Sequence, residues 1–158
     1  MFREMRRKRQ QLSEKEAAAV LERGTSGVLA VLGDGGYPYA VPLSYVYQDG
    51  KIYFHCAGSG HKLDGIRNCD KVSFCVIDQD EVHPEKYTTY FRSVIAFGKA
   101  RILEEDEKRK AILLLTEKYC PKQREDWGKA IEREWKPLCM VEIQVEHMTG
   151  KQAIEMVK

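Results

Sequence analysis

Residues 55 to 62 read His55-Cys56-Ala57-Gly58-Ser59-Gly60-His61-Lys62. Two glycines, a hydroxyl and two potential cations come together where a strand hands over to a helix. That combination suits an anion. The first amides of a helix have no partner within it, a lysine adds charge, and glycine lets backbone approach an oxyanion closely. The spacing is not that of a P-loop, and no GxGxxG is present. An ordinary strand-to-helix turn ending in a solvated Lys62 accounts for the same residues equally well. On spacing alone both readings stay open.

A second stretch runs Tyr37-Pro38-Tyr39-Ala40-Val41-Pro42-Leu43-Ser44-Tyr45. Two prolines cannot donate to a ladder, so this strand cannot be paired on both sides. Its free edge either meets solvent, protected by the prolines, or offers amides and carbonyls to the polar rim of a flat heterocycle such as a flavin or pterin. His55, at an inward or edge position ending the next strand, is a polar anchor or proton donor beside such a ligand, or else a hydrogen-bonded histidine at a barrel rim. His83 and His147 read as surface residues.

The elements that must position these residues follow from periodicity. Ser13 and Glu16 form a capping box for a helix stopped at Gly24. Strands are expected at 27–32, Tyr37–Tyr47, Lys51–Ala57, Val72–Ile77, Thr88–Leu103 and Leu138–Val145, with Gly98 at a bulge or bend. Asp78 to Lys86 is polar, contains a proline and reads as a loop. Helical turns are expected over His61–Asn68, with Leu63 and Ile66 inward. Two further helices follow, over Glu104–Tyr119 and Glu125–Trp135. The first of them shows a stripe of Ala111, Leu114, Leu115 and Tyr119. Six strands joined by tight turns, with peripheral helices, predict one mainly β (α+β) domain over 1–158, an antiparallel β-barrel.

Bulk properties narrow the function. The 158 residues are 43% hydrophobic and carry a net charge of +2, which argues against disorder, a membrane span or a nucleic-acid binder as a whole. Five scattered cysteines without CxxC or metal spacing predict reduced thiols, no metal site and a cytoplasmic protein. No signal peptide is expected, because the basic start (Arg3, Arg6, Arg7, Lys8, Arg9) leads into a charged helix and not an apolar run. That start reads as a solvated terminus more readily than as a binding arm. Trp127, Trp135, Tyr87 and Tyr90 read as core or interface fillers more readily than as stacking platforms.

Taken in order, Tyr37-Pro38, Val41-Pro42-Leu43, Ile52-Tyr53-Phe54-His55-x-Ala57-x-x-Gly60-His61-Lys62, Ser93-Val94 and Gly98 resemble the pyridoxamine 5′-phosphate oxidase-like FMN-binding split barrels. The Nim-type 5-nitroimidazole resistance proteins are the most similar branch, and Met5-Arg6-Arg7-Lys8 and Thr149-Gly150-Lys151 extend the likeness to both ends. The resemblance implies a six-stranded antiparallel split β-barrel acting as a homodimer, with FMN at the subunit interface. His61 and Lys62 fall where the oxidases grip the phosphate with Arg-Lys; histidine lacks the bidentate fork, so Lys62, Ser59 and backbone amides carry more of the grip. His55 and Cys56 fall beside the ribityl chain and phosphate. Ala40, Val41, Pro42, Leu43, Ser44 and Tyr45 fall along the isoalloxazine, and Ser93 replaces a glutamine that meets the flavin.

The arginines that hold pyridoxal phosphate have no match, which argues against vitamin B6 oxidation. The implied activity is reduction of a small molecule, such as a nitro group to an amine, with electrons from a nicotinamide or other donor. His55 is the candidate catalytic residue. A non-catalytic flavin or haem binder or sensor is the alternative. A barrel without cofactor, acting as an interaction module through its basic start, is a third reading.

Overall fold

The computed structural model describes residues 1–158. In chain order the helices are α1 (Glu14–Arg23), α2 (His61–Asn68), α3 (Glu105–Tyr119) and α4 (Trp127–Glu134). The strands are β1 (Gly27–Leu32), β2 (Pro38–Leu43), β3 (Val46–Gln48), β4 (Lys51–Ala57), β5 (Lys71–His83), β6 (Thr88–Leu103) and β7 (Leu138–Gln152). All seven form one antiparallel sheet in the order β2-β1-β5-β6-β7-β4-β3. The two edges, β2 and β3, are consecutive in the chain with only Ser44 and Tyr45 between them. A sheet whose opposite edges are two residues apart must roll up, and it does so around Leu29, Ile52, Phe54, Phe74, Val94 and Val141. Leu63 and Ile66 of α2, and Val20 and Leu21 of α1, join the same core. Leu103, Ile112, Leu115, Ile131 and Met140 form a second cluster under α3 and α4.

The crossing between the two edges is tied down from three sides. Buried Tyr45 donates its hydroxyl to the carbonyl of Leu21 at 2.7 Å. Its amide donates to the Tyr119 hydroxyl at 3.1 Å. Lys118 Nζ donates to the carbonyls of Tyr45, at 3.1 Å, and of Gly24. Gly24 does more than end α1: a Cβ there would lie 2.3 Å from the Tyr45 hydroxyl.

Several expectations are met, including the capping box at Ser13 and the span of α2. Others need correction. The run Tyr37–Tyr47 breaks at Ser44, so six predicted strands become seven. Asp78 to His83 is strand, not loop, and pairs with Thr88–Arg92. Its polarity misleads because this end of the β5–β6 hairpin extends past β1, which pairs with β5 only at Ser73–Cys75. His83 is correspondingly half-buried, stacked 3.9 Å from Tyr90. Likewise β7 continues to Gln152, because the bulge at Phe97/Gly98 inserts Glu146 and resets the inward-outward alternation. Ile112 belongs to the buried stripe of α3, whereas Tyr119 leaves it to reach Tyr45. Trp127 and Trp135 pack against the second cluster as expected, but Tyr87 is almost fully exposed.

A second bulge, between Ile77 and Gln79, turns Asp78 toward Arg23 of α1 (two contacts at 2.7 Å) and Arg92 of β6 (3.0 Å). The Arg23 guanidinium, followed by Arg92, holds the Asp78 carboxyl below its usual range. A lowered carboxyl contributes stability above its unfolded value and loses it on acidification. Asp78→Asn is therefore expected to flatten the acid limb of stability between about pH 5 and pH 2, read by urea unfolding across that range. Tyr119→Phe leaves the buried Tyr45 amide unpaired and is expected to cost about 1–3 kcal/mol in the same assay at pH 7.

Candidate functional site

The rolled sheet does not close completely. β2 pairs only with β1, so its other edge is free. β4 pairs with β3 only through Lys51–Tyr53, so on that side Phe54–Ala57 is unpaired. These two free edges flank the Ser44–Tyr45 crossing and define a slot. α2 starts at its foot. Gly60, with φ 140°, turns the chain out of β4, and the His61 ring stacks on Tyr39 of β2 at 3.9 Å. Gly65 lets α2 lie on β1, since a Cβ there would stand 2.7 Å from Val31.

The slot brings most of the sequence-predicted residues together, though not all by their side chains. Ala40, Pro42 and Ser44 face outward, while Val41, Leu43 and Tyr45 turn toward the barrel interior. Val41 and Leu43 can meet a ligand only through backbone. Tyr45 cannot readily do even that, because Tyr119 and Lys118 occupy its amide and carbonyl. His61 is engaged as well. Its Nε2 accepts from the Asp34 amide at 3.3 Å, with the Asp34 carboxylate 3.8 Å away. Lys62, half-buried beside it, enters no ion pair. Ser59 is exposed on the turn between them and β4.

Cys56 points inward and lies directly across the ladder from Cys139. Burial, then the neighbouring Cys139 thiol, push its thiol up to about 11, against the opposing pull of Lys62 and Arg67. That pull places two cations near the end of β4. Arg67 was not singled out in the sequence, because nothing in its spacing separates it from any solvated helix residue. His55 points the opposite way, into a cavity of about 320 Å³ between the outer face of the barrel and α3–α4, with Ser44 also in its wall. No cluster of metal-binding side chains is present, and no helix is long and apolar enough to cross a membrane.

Ser93 lies elsewhere. It stands on the outer face of β6 between Ile77 and Lys151, three strands from β2, which is roughly 14 Å at ~4.8 Å per strand. The face that carries it is apolar. One row across five strands reads Pro42, Val28, Cys75, Ile95, Thr149, and the next Ala40, Ala30, Ser73, Phe97, His147. His147 is no simple surface residue, since Phe2 stacks on it at 4.9 Å. Ile77 is 65% exposed, Leu32 49% and Ile95 42%.

Residues 13–152 match the family model described as pyridoxamine 5′-phosphate oxidase. No curated protein matches. Among solved structures, a candidate 5-nitroimidazole antibiotic resistance protein from Bacteroides thetaiotaomicron is similar at TM-score 0.75 and 19% identity, over 90% of this chain and 86% of that one. An FAD-binding protein from Mesorhizobium loti is similar at TM-score 0.62 and 26% identity, over 91% and 97%. An FAD and haem binding protein from Mycobacterium smegmatis is similar at TM-score 0.75 and 18% identity, over 91% and 73%.

The thiol environments make a direct prediction. With its thiol near 11, Cys56 is about one part in a thousand thiolate at pH 8. Iodoacetamide at pH 8, followed by peptide mass spectrometry, is expected to label exposed Cys120 first and Cys56 last. Labelling at equal rates would contradict the burial of Cys56.

Proposed function

The chain belongs to the pyridoxamine 5′-phosphate oxidase family, and from that membership we propose that it is an FMN-binding oxidoreductase of small molecules. One observation carries the reading: two unpaired strand edges converge on a helix start beside an unpartnered lysine. The donor set fits the cofactor. Lys62, the Ser59 hydroxyl and the free amides of α2 suit a phosphate, and the edge of Ala40–Leu43 suits the polar rim of a flat ring. A bound flavin would supply hydride transfer between a nicotinamide or other donor and an acceptor such as a nitro group. The protein's part is to hold the phosphate at Lys62, to orient the ring along β2, and to present the imidazole of His55 as a proton donor on the open side.

The reading includes a homodimer formed through the apolar outer face. Ala40 and Pro42 share that face with Ser93, so a two-fold contact there would carry Ser93 of the partner subunit toward the slot and cover Ile77 and Ile95. The cavity beside His55 contains no arginine or lysine, which disfavours pyridoxal phosphate as substrate. A second reading, a non-catalytic flavin or haem binder, is favoured by the apolar wall around His55 and by the similar protein named for FAD and haem.

An absorption spectrum of the purified protein, with chromatography of the released cofactor, separates these readings. FMN bands are expected; a Soret band would select the haem binder, and FAD would correct the cofactor. Lys62→Ala is expected to weaken FMN binding about 10- to 100-fold in a fluorescence titration, and unchanged affinity would remove Lys62 from the phosphate site. Ile95→Asp is expected to give a monomer by light scattering, with loss of flavin.

A further inference from the structure

We propose that the cavity between His55 and the α3–α4 pair is a substrate chamber for small uncharged ring compounds, and that it rejects carboxylates and phosphates. The proposal rests on the flavin reading only for calling the occupant a substrate; the selection by charge follows from the cavity itself. Its volume of about 320 Å³ lies at the small end of ligand pockets and exceeds the ~150 Å³ that accommodates benzene. Ile112, Leu115, Ile131, Leu138 and Met140 make its wall, so the main driving force is burial of apolar surface.

The polar groups are few and partly committed. The Thr116 hydroxyl donates to the Ile112 carbonyl at 2.7 Å, and the Tyr119 hydroxyl is held at the strand crossing. That leaves His55 and the Ser44 hydroxyl at the barrel side, and the Cys120 thiol and the Glu134 carboxylate on the helix side. An anionic ligand would lose its hydration among apolar side chains, find no lysine or arginine in the wall, and meet Glu134 as a like charge. A neutral ring with one acceptor group meets none of these costs and can receive a hydrogen bond from His55. The cations of this region, Lys62 and Arg67, act on Cys56, whose side chain leaves β4 on the face opposite His55, and neither lines the cavity.

The test uses two probes with the same rings, 2-naphthol and 2-naphthoate, titrated by calorimetry at pH 7 into the full-length protein without added flavin. 2-Naphthol is expected to bind, and 2-naphthoate to bind at least about tenfold more weakly. Ala130→Phe, which grows from half-buried α4 into the cavity, is expected to weaken 2-naphthol at least about tenfold. Circular dichroism checks its fold. Glu134→Lys, at an exposed position, is expected to raise 2-naphthoate affinity relative to 2-naphthol. Equal or tighter binding of 2-naphthoate by the natural protein, no binding of 2-naphthol, or full 2-naphthol affinity in Ala130→Phe would overturn the proposal. A separate FMN titration keeps the two readings distinct: absent FMN binding sinks the flavin assignment and leaves the selection by charge intact.

Discussion

Everything that positions the candidate site depends on how one short piece of chain passes from one edge of the sheet to the other. Ser44 and Tyr45 connect β2 to β3, and these are the outermost strands of a seven-stranded sheet. The sheet therefore rolls up, yet it cannot zip shut, because β3 is only three residues long and leaves the end of β4 unpaired. The opening is a consequence of connectivity. The crossing itself is gripped by the Leu21 carbonyl inside, and by Lys118 and Tyr119 from the end of α3. Buried backbone groups that would otherwise lack partners are satisfied by side chains from a helix more than seventy residues away.

The two faces of β4 show how a strand separates chemistries. Successive side chains alternate between faces, so Cys56 turns into the barrel toward Cys139 while His55 turns out toward α3 and α4. Positive charge gathers where β4 gives way to α2, and apolar wall gathers where His55 faces the helices.

Much of this was legible in the sequence, and the failures have physical causes. The helix at His61, the bulge at Gly98 and the edge status of the proline strand were readable because glycine and proline act locally. The break at Ser44 was not, since Tyr45 continues the apolar alternation and only tertiary bonds divert it. Tyr119 looked like one more member of a buried stripe, because spacing cannot distinguish a ring that packs from a hydroxyl that reaches. That His61 Nε2 accepts from the Asp34 amide was not legible either, since the contact joins residues 27 positions apart. Arg67 carried no signal at all. The apolar outer face was visible only in fragments, because its rows draw one residue from each of five strands.

The overhanging end of the β5–β6 hairpin stands apart from these constraints. From Gln79 to Arg92 its two strands pair chiefly with each other, and the turn at Pro84–Lys86 touches neither the slot nor the barrel interior. Length and sequence there are decoupled from the packing that sets the site. Natural variation can lengthen, shorten or recharge that tip at little cost to folding, whereas a single inserted residue between Leu43 and Val46 would slip both sheet edges at once. The molecule thus has one segment free to diverge and one that inheritance must keep to length.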